Sequence, residues 1–189
     1  MIEHYEVTFK DARVFGKRGY RRLSTTYDIL SSVVAAVVAV AVLLLFFFRV
    51  ATVDGRSMVP TLDDKDRLII TNVTKNYERG DIVVIHREHQ ISLIKRVIAI
   101  GGDTIDIDFK QGIVYVNGET LQEDYIAEPT YVSFIDGPNF PFEVPEGYLF
   151  CMGDNRNDSL DSRSASVGLI NEQYIVGKMV IDLDKPEAS

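Results

Sequence analysis

The chain has 189 residues, a formal net charge of −8 and 46% hydrophobic residues. This length is enough for one domain with a substantial core and additional segments. Residues 49–189 carry fourteen Lys and Arg against twenty-four Asp and Glu. Such an acidic domain is a poor match for nucleic acid, because phosphate binding requires basic clusters. The single cysteine, Cys151, excludes an intrachain disulfide, and its apolar neighbours predict a buried side chain.

The N-terminal part contains an uninterrupted apolar segment at residues 29–48. Its twenty residues include no charged side chain, and Asp28 and Arg49 bound it. As a helix it would span about 30 Å, the thickness of the hydrocarbon core of a bilayer. A buried core helix is rarely apolar on every face for so long. A cleaved secretory signal usually has an apolar region of only about 7–15 residues. The pattern therefore predicts an uncleaved transmembrane anchor.

The charged residues around this segment predict its orientation. Six Lys and Arg precede it within residues 1–28, whereas only Arg49 and Arg56 follow it closely. Basic flanking residues stay in the cytoplasm. We therefore expect a single-pass protein of the cell membrane, with a cytoplasmic N-terminal segment at 1–28 and an extracytoplasmic domain at 49–189.

The extracytoplasmic part is predicted to be mainly β, an antiparallel domain with a small β insertion at about residues 110–146. Short β-branched runs bounded by turns occur at 67–71, 81–85, 93–100, 148–152 and 174–183. Alternation of Ile with Asp over 104–109 predicts a half-buried strand. Asn117-Gly118 between apolar runs predicts a hairpin. The insertion carries three phenylalanines that would pack in the core or reach the membrane interface: Phe134, Phe140 and Phe142.

Two residues of this domain are candidates for nucleophilic catalysis. Ser57 follows the anchor closely, two residues after Gly55. Lys95 lies within an apolar run, and strand alternation places it on the same face as Leu93 and Val97. A serine needs a base to take its proton, and a lysine can be that base only when burial favours its neutral form. The alternatives are a solvated serine and a solvent-facing strand lysine.

A polar loop at residues 153–163 is the third candidate element. Its sequence is dense in Asp, Asn, Ser and Arg, which is typical either of a solvated Asx-turn loop or of a hydrogen-bonded scaffold. Asp161 and Arg163 have the chemistry for a charge-assisted pair. Ser159 could donate to a lysine amine or orient it.

A metal site is a further alternative. The polar loop lacks the glycine and the closing glutamate that a calcium loop requires. His86 and His89 fall in a predicted hairpin turn and lack the His-Glu-x-x-His pattern of zinc peptidases. No metal and no cofactor is therefore expected.

Four segments resemble, in the same order, the motif blocks of bacterial type I signal peptidases: Ser57 to Thr61, Arg79 to Val84, Lys95 to Val97 with Gly102-Asp103, and Gly153 to Arg163. The resemblance implies the β-fold of that family. It also implies removal of signal peptides from secretory preproteins after small-x-small sequences, through an acyl-enzyme. The implied partners are these preproteins, membrane lipid and the secretion translocon.

The same resemblance assigns roles to individual residues. Ser57 would be the nucleophile and Lys95 the general base. Four residues would support them: Ser159 by positioning the lysine, Asp161 and Arg163 by bracing the site, and Met58 by packing beside the nucleophile.

Two questions stay open at this point. Gly55 stands where some relatives carry a serine that assists the oxyanion hole, so the second oxyanion donor is not assigned. A noncatalytic assembly factor for surface proteins or pili could keep the same fold, and so could a membrane-anchored binding module. The presence of both Ser57 and Lys95 favours catalysis over these alternatives.

Overall fold

The first element is a long apolar helix. A computed structural model describes residues 10–73, 75–87 and 91–185, with side chains of the first helix from residue 26 onward. Helix α1 extends over Lys10–Phe47. Its Thr26–Phe47 part is apolar and long enough to cross a membrane, and its side chains lie outside any protein core. The helix therefore fits a single membrane span, as the apolar segment predicted.

The remaining chain, from Phe47 onward, forms a separate unit. It contains eleven described strands: β1 Phe48–Thr52, β2 Arg67–Thr71, β3 Ile82–Ile85, β4 Leu93–Ala99, β5 Thr104–Asp108, β6 Ile113–Val116, β7 Glu119–Thr120, β8 Phe142–Glu143, β9 Tyr148–Met152, β10 Ile170–Asn171 and β11 Ile175–Asp182. Seven of them form one sheet in the order β1-β2-β11-β3-β4-β9-β10, and four form a second sheet in the order β7-β6-β5-β8. Every strand pair is antiparallel. The mainly β, antiparallel fold expected from the sequence is confirmed.

The second sheet begins at Thr104, before the expected insertion at about 110–146, because the half-buried strand β5 is its central member. Strands β6 and β7 pair around Asn117 and Gly118. Both turn residues have positive φ, 55° and 80°, as a tight hairpin of this kind requires. The segment between β7 and β8, residues 121–141, is irregular and is called the excursion below.

Three apolar clusters form the core. One joins the two sheets, with Ile98 and Phe150 from the large sheet and Ile105 from the small one, and Phe140 and Phe142 pack against it. These two phenylalanines of the insertion therefore pack in the core. The other two clusters lie along the large sheet, and one of them includes Cys151, which is buried as predicted.

Candidate active site

The turn that carries Ser57 is fixed by its apolar neighbours. Met58 and Leu62 are both 1% exposed and belong to the cluster that also contains Leu68 of β2. The turn closes on itself because Leu62 N–H donates to Met58 O at 2.9 Å. Gly55 has φ of 96°, a conformation that favours glycine. Burial of the residues on one side of the turn leaves Ser57 only partly covered.

Lys95 lies on β4 directly beside this serine. Its Nζ is 2.7 Å from Ser57 Oγ and donates to Ile94 O at 3.0 Å. The lysine is 2% exposed. Burial lowers its pKa to about 8, although the carboxylate of Asp161 acts in the opposite direction. A lysine with this pKa is partly neutral near neutral pH, so it can accept the proton of a hydroxyl at hydrogen-bond distance.

The polar loop at 153–163 contacts the nucleophile turn, because Asn155 N–H donates to Ser57 O at 3.1 Å. Arg163 and Asp161 form a fully buried bidentate pair, with Nε–Oδ1 and Nη2–Oδ2 distances of 2.8 Å. Asp161 Oδ2 also accepts from Gly153 N–H at 3.0 Å. The pair predicted from the sequence is therefore present, and it holds the start of the loop against its end.

Ser159 has a different environment from the one expected. Its Oγ is buried and lies against the backbone of Gly153, and within the described residues it has no hydrogen-bond partner. It donates no hydrogen bond to Lys95 in this structure.

Comparisons with known proteins show to which protein family this chain belongs. A family model described as signal peptidase, peptidase S26, matches residues 26–183. A signal peptidase I from Bacillus amyloliquefaciens and signal peptidase I T from Bacillus subtilis are each 38% identical over 172 residues. These alignments cover 85% of this chain and 87% and 86% of the two relatives. The chain belongs to the signal peptidase family, peptidase S26.

A solved structure of a signal peptidase I from Enterococcus faecalis is 28% identical and covers 56% of this chain and 97% of its own, with a TM-score of 0.44. The family assignment rests on the sequence matches. It makes the chain a serine peptidase, a type I signal peptidase that removes signal peptides from preproteins. A noncatalytic assembly role is not favoured by these relatives.

Sequence reasoning missed several residues that hold the signal peptidase site together. Asn155 donates from its backbone to Ser57 O and from Nδ2 to Arg56 O, both at 3.1 Å. Asp154, which is fully buried, accepts from Arg96 at 2.8 and 2.6 Å and from Thr61 Oγ1 at 2.5 Å. All of these residues lie inside or beside the motif blocks. Their position there was the only signal in the sequence, because the contacting residues are 58 or more positions apart.

A groove of about 310 Å³ opens beside Ser57. Its wall is mostly apolar and includes Met58, Leu93 and Ile94. A second groove of about 250 Å³ lies elsewhere, beside Ile85, and contains none of the candidate residues. Among the described residues, no group of three or more His, Cys, Asp and Glu could hold a metal ion. His89 lies outside the described residues.

We expect Gly153→Ala to lower kcat/KM for preprotein cleavage by about a hundredfold or more, since displacement of reacting groups by about 1 Å can cost that much. A Cβ at Gly153 would overlap Ser57 O and Ser159 Oγ, so the nucleophile turn must move. The measurement is kcat/KM on one preprotein, together with thermal unfolding.

Gly118→Ala is the matched control for this prediction. Gly118, unlike Gly153, has a positive φ of 80°, and a Cβ there meets nothing within 4 Å. It should therefore lose some stability and keep its activity. Equal activity losses in the two variants would show that a general loss of stability, and not contact with Ser57, explains the effect.

The activity should also depend on pH through Lys95. Because the pKa of Lys95 is lowered to about 8, kcat/KM should rise with pH through a midpoint near that value. Met58→Ser would admit water, favour the ammonium and move the midpoint to higher pH. Met179→Ser makes the same change in the same apolar cluster away from the groove wall and should leave the midpoint in place. A flat profile in the wild type would rule out a titrating lysine base.

The same pKa shift predicts how stability changes with pH. Between about pH 8 and pH 10.5, the ordinary pKa of a lysine, the folded protein binds fewer protons at Lys95 than the unfolded chain does. Stability from this group therefore falls as pH is lowered through that window and changes no further below it. Thermal unfolding of wild type and Lys95→Met is compared across this pH range. The loss of wild-type stability relative to Lys95→Met should grow as pH is lowered and should vanish at the alkaline end, where Lys95 is neutral in both states.

Proposed function

We propose that this signal peptidase cleaves preproteins with Ser57 as nucleophile and Lys95 as general base. The observation that supports this most strongly is the 2.7 Å distance between Lys95 Nζ and Ser57 Oγ, with the lysine buried. No other described pair combines a serine with a buried lysine, since Lys95 is the only lysine among the buried residues of the described chain.

The proposed reaction has two stages. Neutral Lys95 takes the proton of Ser57 as Oγ attacks the carbonyl carbon of the scissile peptide bond. The lysine then gives that proton to the leaving amine, and the signal peptide remains as an ester on Ser57. In the second stage Lys95 removes a proton from water, which attacks the ester carbonyl. The C–Oγ bond then breaks, Lys95 returns the proton to Ser57 Oγ, and the signal peptide leaves as a carboxylate. The Ser57 N–H would bind the oxyanion. Asn155 Nδ2 supports this role by donating at 3.1 Å to Arg56 O, the carbonyl of the same peptide unit.

Asp161 and Arg163 act in this proposal by fixing the loop that supports the dyad. Their carboxylate and guanidinium are both fully buried, so removing either one leaves an uncompensated charge in the core. Met58 shields Ser57 and Lys95 from water on the side of the apolar cluster. Ser159 is proposed to reach the lysine amine only after its hydroxyl turns away from Gly153.

The groove beside Ser57 supports a preference for small residues near the cleavage site. Its volume is about 310 Å³, and its wall includes the apolar side chains of Val53, Leu93 and Ile94. Small-x-small sequences of secretory preproteins fit such a wall. We expect these preproteins to arrive from the secretion translocon while their apolar segment is still in the bilayer.

The proposed orientation places the N-terminus in the cytoplasm and the β domain outside, according to the basic residues before the span. The β domain also has an apolar outer face that suits contact with lipid. Val50, Ile69 and Ile181 lie opposite one another on β1, β2 and β11, and cross-strand partners share a face. Val50 is 67% and Ile181 50% exposed. Strand β1 begins one residue after the apolar helix ends, so this face lies close in sequence to the membrane.

Spin labels test the lipid contact in the full chain reconstituted in vesicles. Cys151 is buried and its pKa is raised by burial, so a new cysteine can be labelled selectively. A label at Ile181→Cys should collide more often with oxygen than with a water-soluble nickel complex. The control is Ile135→Cys, a fully exposed isoleucine of the excursion, where the order should be reversed. Equal accessibility at both sites would contradict the lipid contact.

The proposed cleavage is tested by incubating the detergent-solubilised full chain with a preprotein and sequencing the new N-terminus. The expected result is a single cut after a small-x-small sequence, absent with Ser57→Ala. Cleavage at unrelated sites, or cleavage that persists in that variant, would overturn the assignment of Ser57.

A further inference from the structure

Tyr125, on the irregular excursion, lies against two arginines of the site. Its ring centroid is 4.0 Å from Arg96 Cζ and 5.8 Å from Arg156 Cζ. Both distances are within the range of cation–π attraction, which is strongest where the cation has lost water. Arg156 is 1% exposed, and only 11% of the Arg96 side chain is exposed. The excursion therefore contributes an aromatic contact to the part of the molecule that holds the dyad.

Arg96 joins the three segments that carry the site. It follows Lys95 on β4, and its Nε and Nη2 donate to Asp154 of the polar loop. The same carboxylate accepts from Thr61 of the nucleophile turn. Arg96 Nη1 donates to Gly80 O at 2.8 Å. A shift of this guanidinium would therefore move β4, the loop and the nucleophile turn relative to one another.

Arg156 connects the same loop to the excursion. Its Nε donates to Gly153 O at 3.0 Å, and its Nη1 donates to Thr130 Oγ1 at 2.9 Å. Its Nη2 forms an ion pair with Glu123, which also accepts from Tyr125 OH at 3.3 Å. Glu123 and Thr130 both belong to the excursion. This segment therefore supplies the partners that neutralise and orient a buried arginine next to the site.

We propose that Tyr125 is a positioning residue for signal peptide cleavage, acting through Arg96 to hold β4 and Lys95 at hydrogen-bond distance from Ser57. This proposal rests on the proposed Ser57–Lys95 function. The ring excludes water from one face of the Arg96 guanidinium, and this face carries the positioning role. The hydroxyl adds only a long contact of 3.3 Å to Glu123. The excursion thereby becomes part of the catalytic framework, although it contributes no group to the reaction itself and Tyr125 does not line the groove beside Ser57.

The test compares Tyr125→Phe with Tyr125→Leu in the full chain, with kcat and KM measured separately per titrated active site. Phe keeps the ring and should retain kcat to within about twofold, because the aromatic face carries the cation–π contact. Leu keeps an apolar side chain without that face and should lower kcat by about tenfold through misplacement of the base. KM should change little in both variants. The Leu variant should also show its pH midpoint at higher pH, because a loosened Lys95 regains water.

Tyr131→Leu is the matched control, since Tyr131 lies on the same excursion and is 52% exposed; it should behave as wild type. If Tyr125→Leu fails to fold, Glu123→Gln is the second variant for the same kinetic measurement. It keeps the size of the side chain, removes the charge that pairs Arg156, and should also lower kcat with little change in KM.

Equal kcat in the Phe and Leu variants would overturn the positioning role. So would a Leu variant with fewer active molecules but an unchanged kcat per active site, because Tyr125 would then contribute only to packing. These results are distinguishable from failure of the dyad, because that failure appears in Ser57→Ala and Lys95→Ala whatever the residue at 125.

Discussion

Ser57→Ala should abolish preprotein cleavage, with a loss on the order of 10⁴-fold or more, because the nucleophile of a covalent mechanism has no substitute. Alanine removes only the hydroxyl that lies 2.7 Å from Lys95 Nζ. Met58 and Leu62, which hold the turn in the core, are unchanged. The measurement is the rate of appearance of the mature N-terminus, followed over hours so that slow residual cleavage is detected.

Ser92→Ala is the matched control for the nucleophile. Ser92 lines the same groove as Ser57, but it is exposed, and the hydrogen bonds of Lys95 Nζ go to Ser57 Oγ and Ile94 O. Its variant should cleave preprotein at nearly the wild-type rate. Turnover by Ser57→Ala at a rate comparable to that of Ser92→Ala would contradict a role for Ser57 as nucleophile.

Lys95→Ala and Lys95→Arg should be as inactive as the serine variant, again with losses on the order of 10⁴-fold. Alanine leaves Ser57 without a base. Arginine keeps a cation of similar length but stays protonated at any accessible pH, so it cannot accept the serine proton. The comparison therefore separates proton transfer from the placement of a positive charge. It is measured as kcat/KM from mildly acidic to alkaline pH.

Lys178→Arg is the control for that substitution. Lys178 also lies on a strand of the large sheet, where it pairs with Asp81 at 2.9 Å, and arginine can keep this ion pair. Activity and stability should stay near wild type. Appreciable cleavage by Lys95→Arg would show that a permanent cation suffices at this position and that Lys95 is not the base.

The sequence predicted those features that depend on local pattern. The apolar segment at 29–48 corresponds to the end of a helix that fits a membrane span, because length and the lack of charge are local properties. The alternating Ile and Asp of β5 and the Asn117-Gly118 hairpin are confirmed for the same reason. Lys95 is buried, as its apolar neighbours indicated. Its catalytic role stays a prediction until the variants are measured.

Features that depend on distant contacts were not predictable in this way. Tyr125 and Glu123 lie in a segment without regular periodicity, and nothing beside them in the sequence indicates two arginines as partners. Phe140 and Phe142 looked equally suited to the core and to a membrane interface. Only the position of the second sheet against Phe150 decides between these environments. The Ser159 hydroxyl has no hydrogen-bond partner among the described residues, which no sequence pattern around it indicates.

The central claim is that Ser57 becomes acylated with Lys95 as the base, and trapping the acyl-enzyme tests it most directly. Full-length protein is mixed with a peptide spanning a small-x-small site, quenched in acid within the first turnover, digested and analysed by mass spectrometry. The account predicts the acyl group on the peptide that contains Ser57, with its yield in the early time points rising with pH through about 8, the pKa of Lys95. In Lys95→Arg no adduct should form. An adduct on another residue, or one that accumulates equally in Lys95→Arg, would contradict the account.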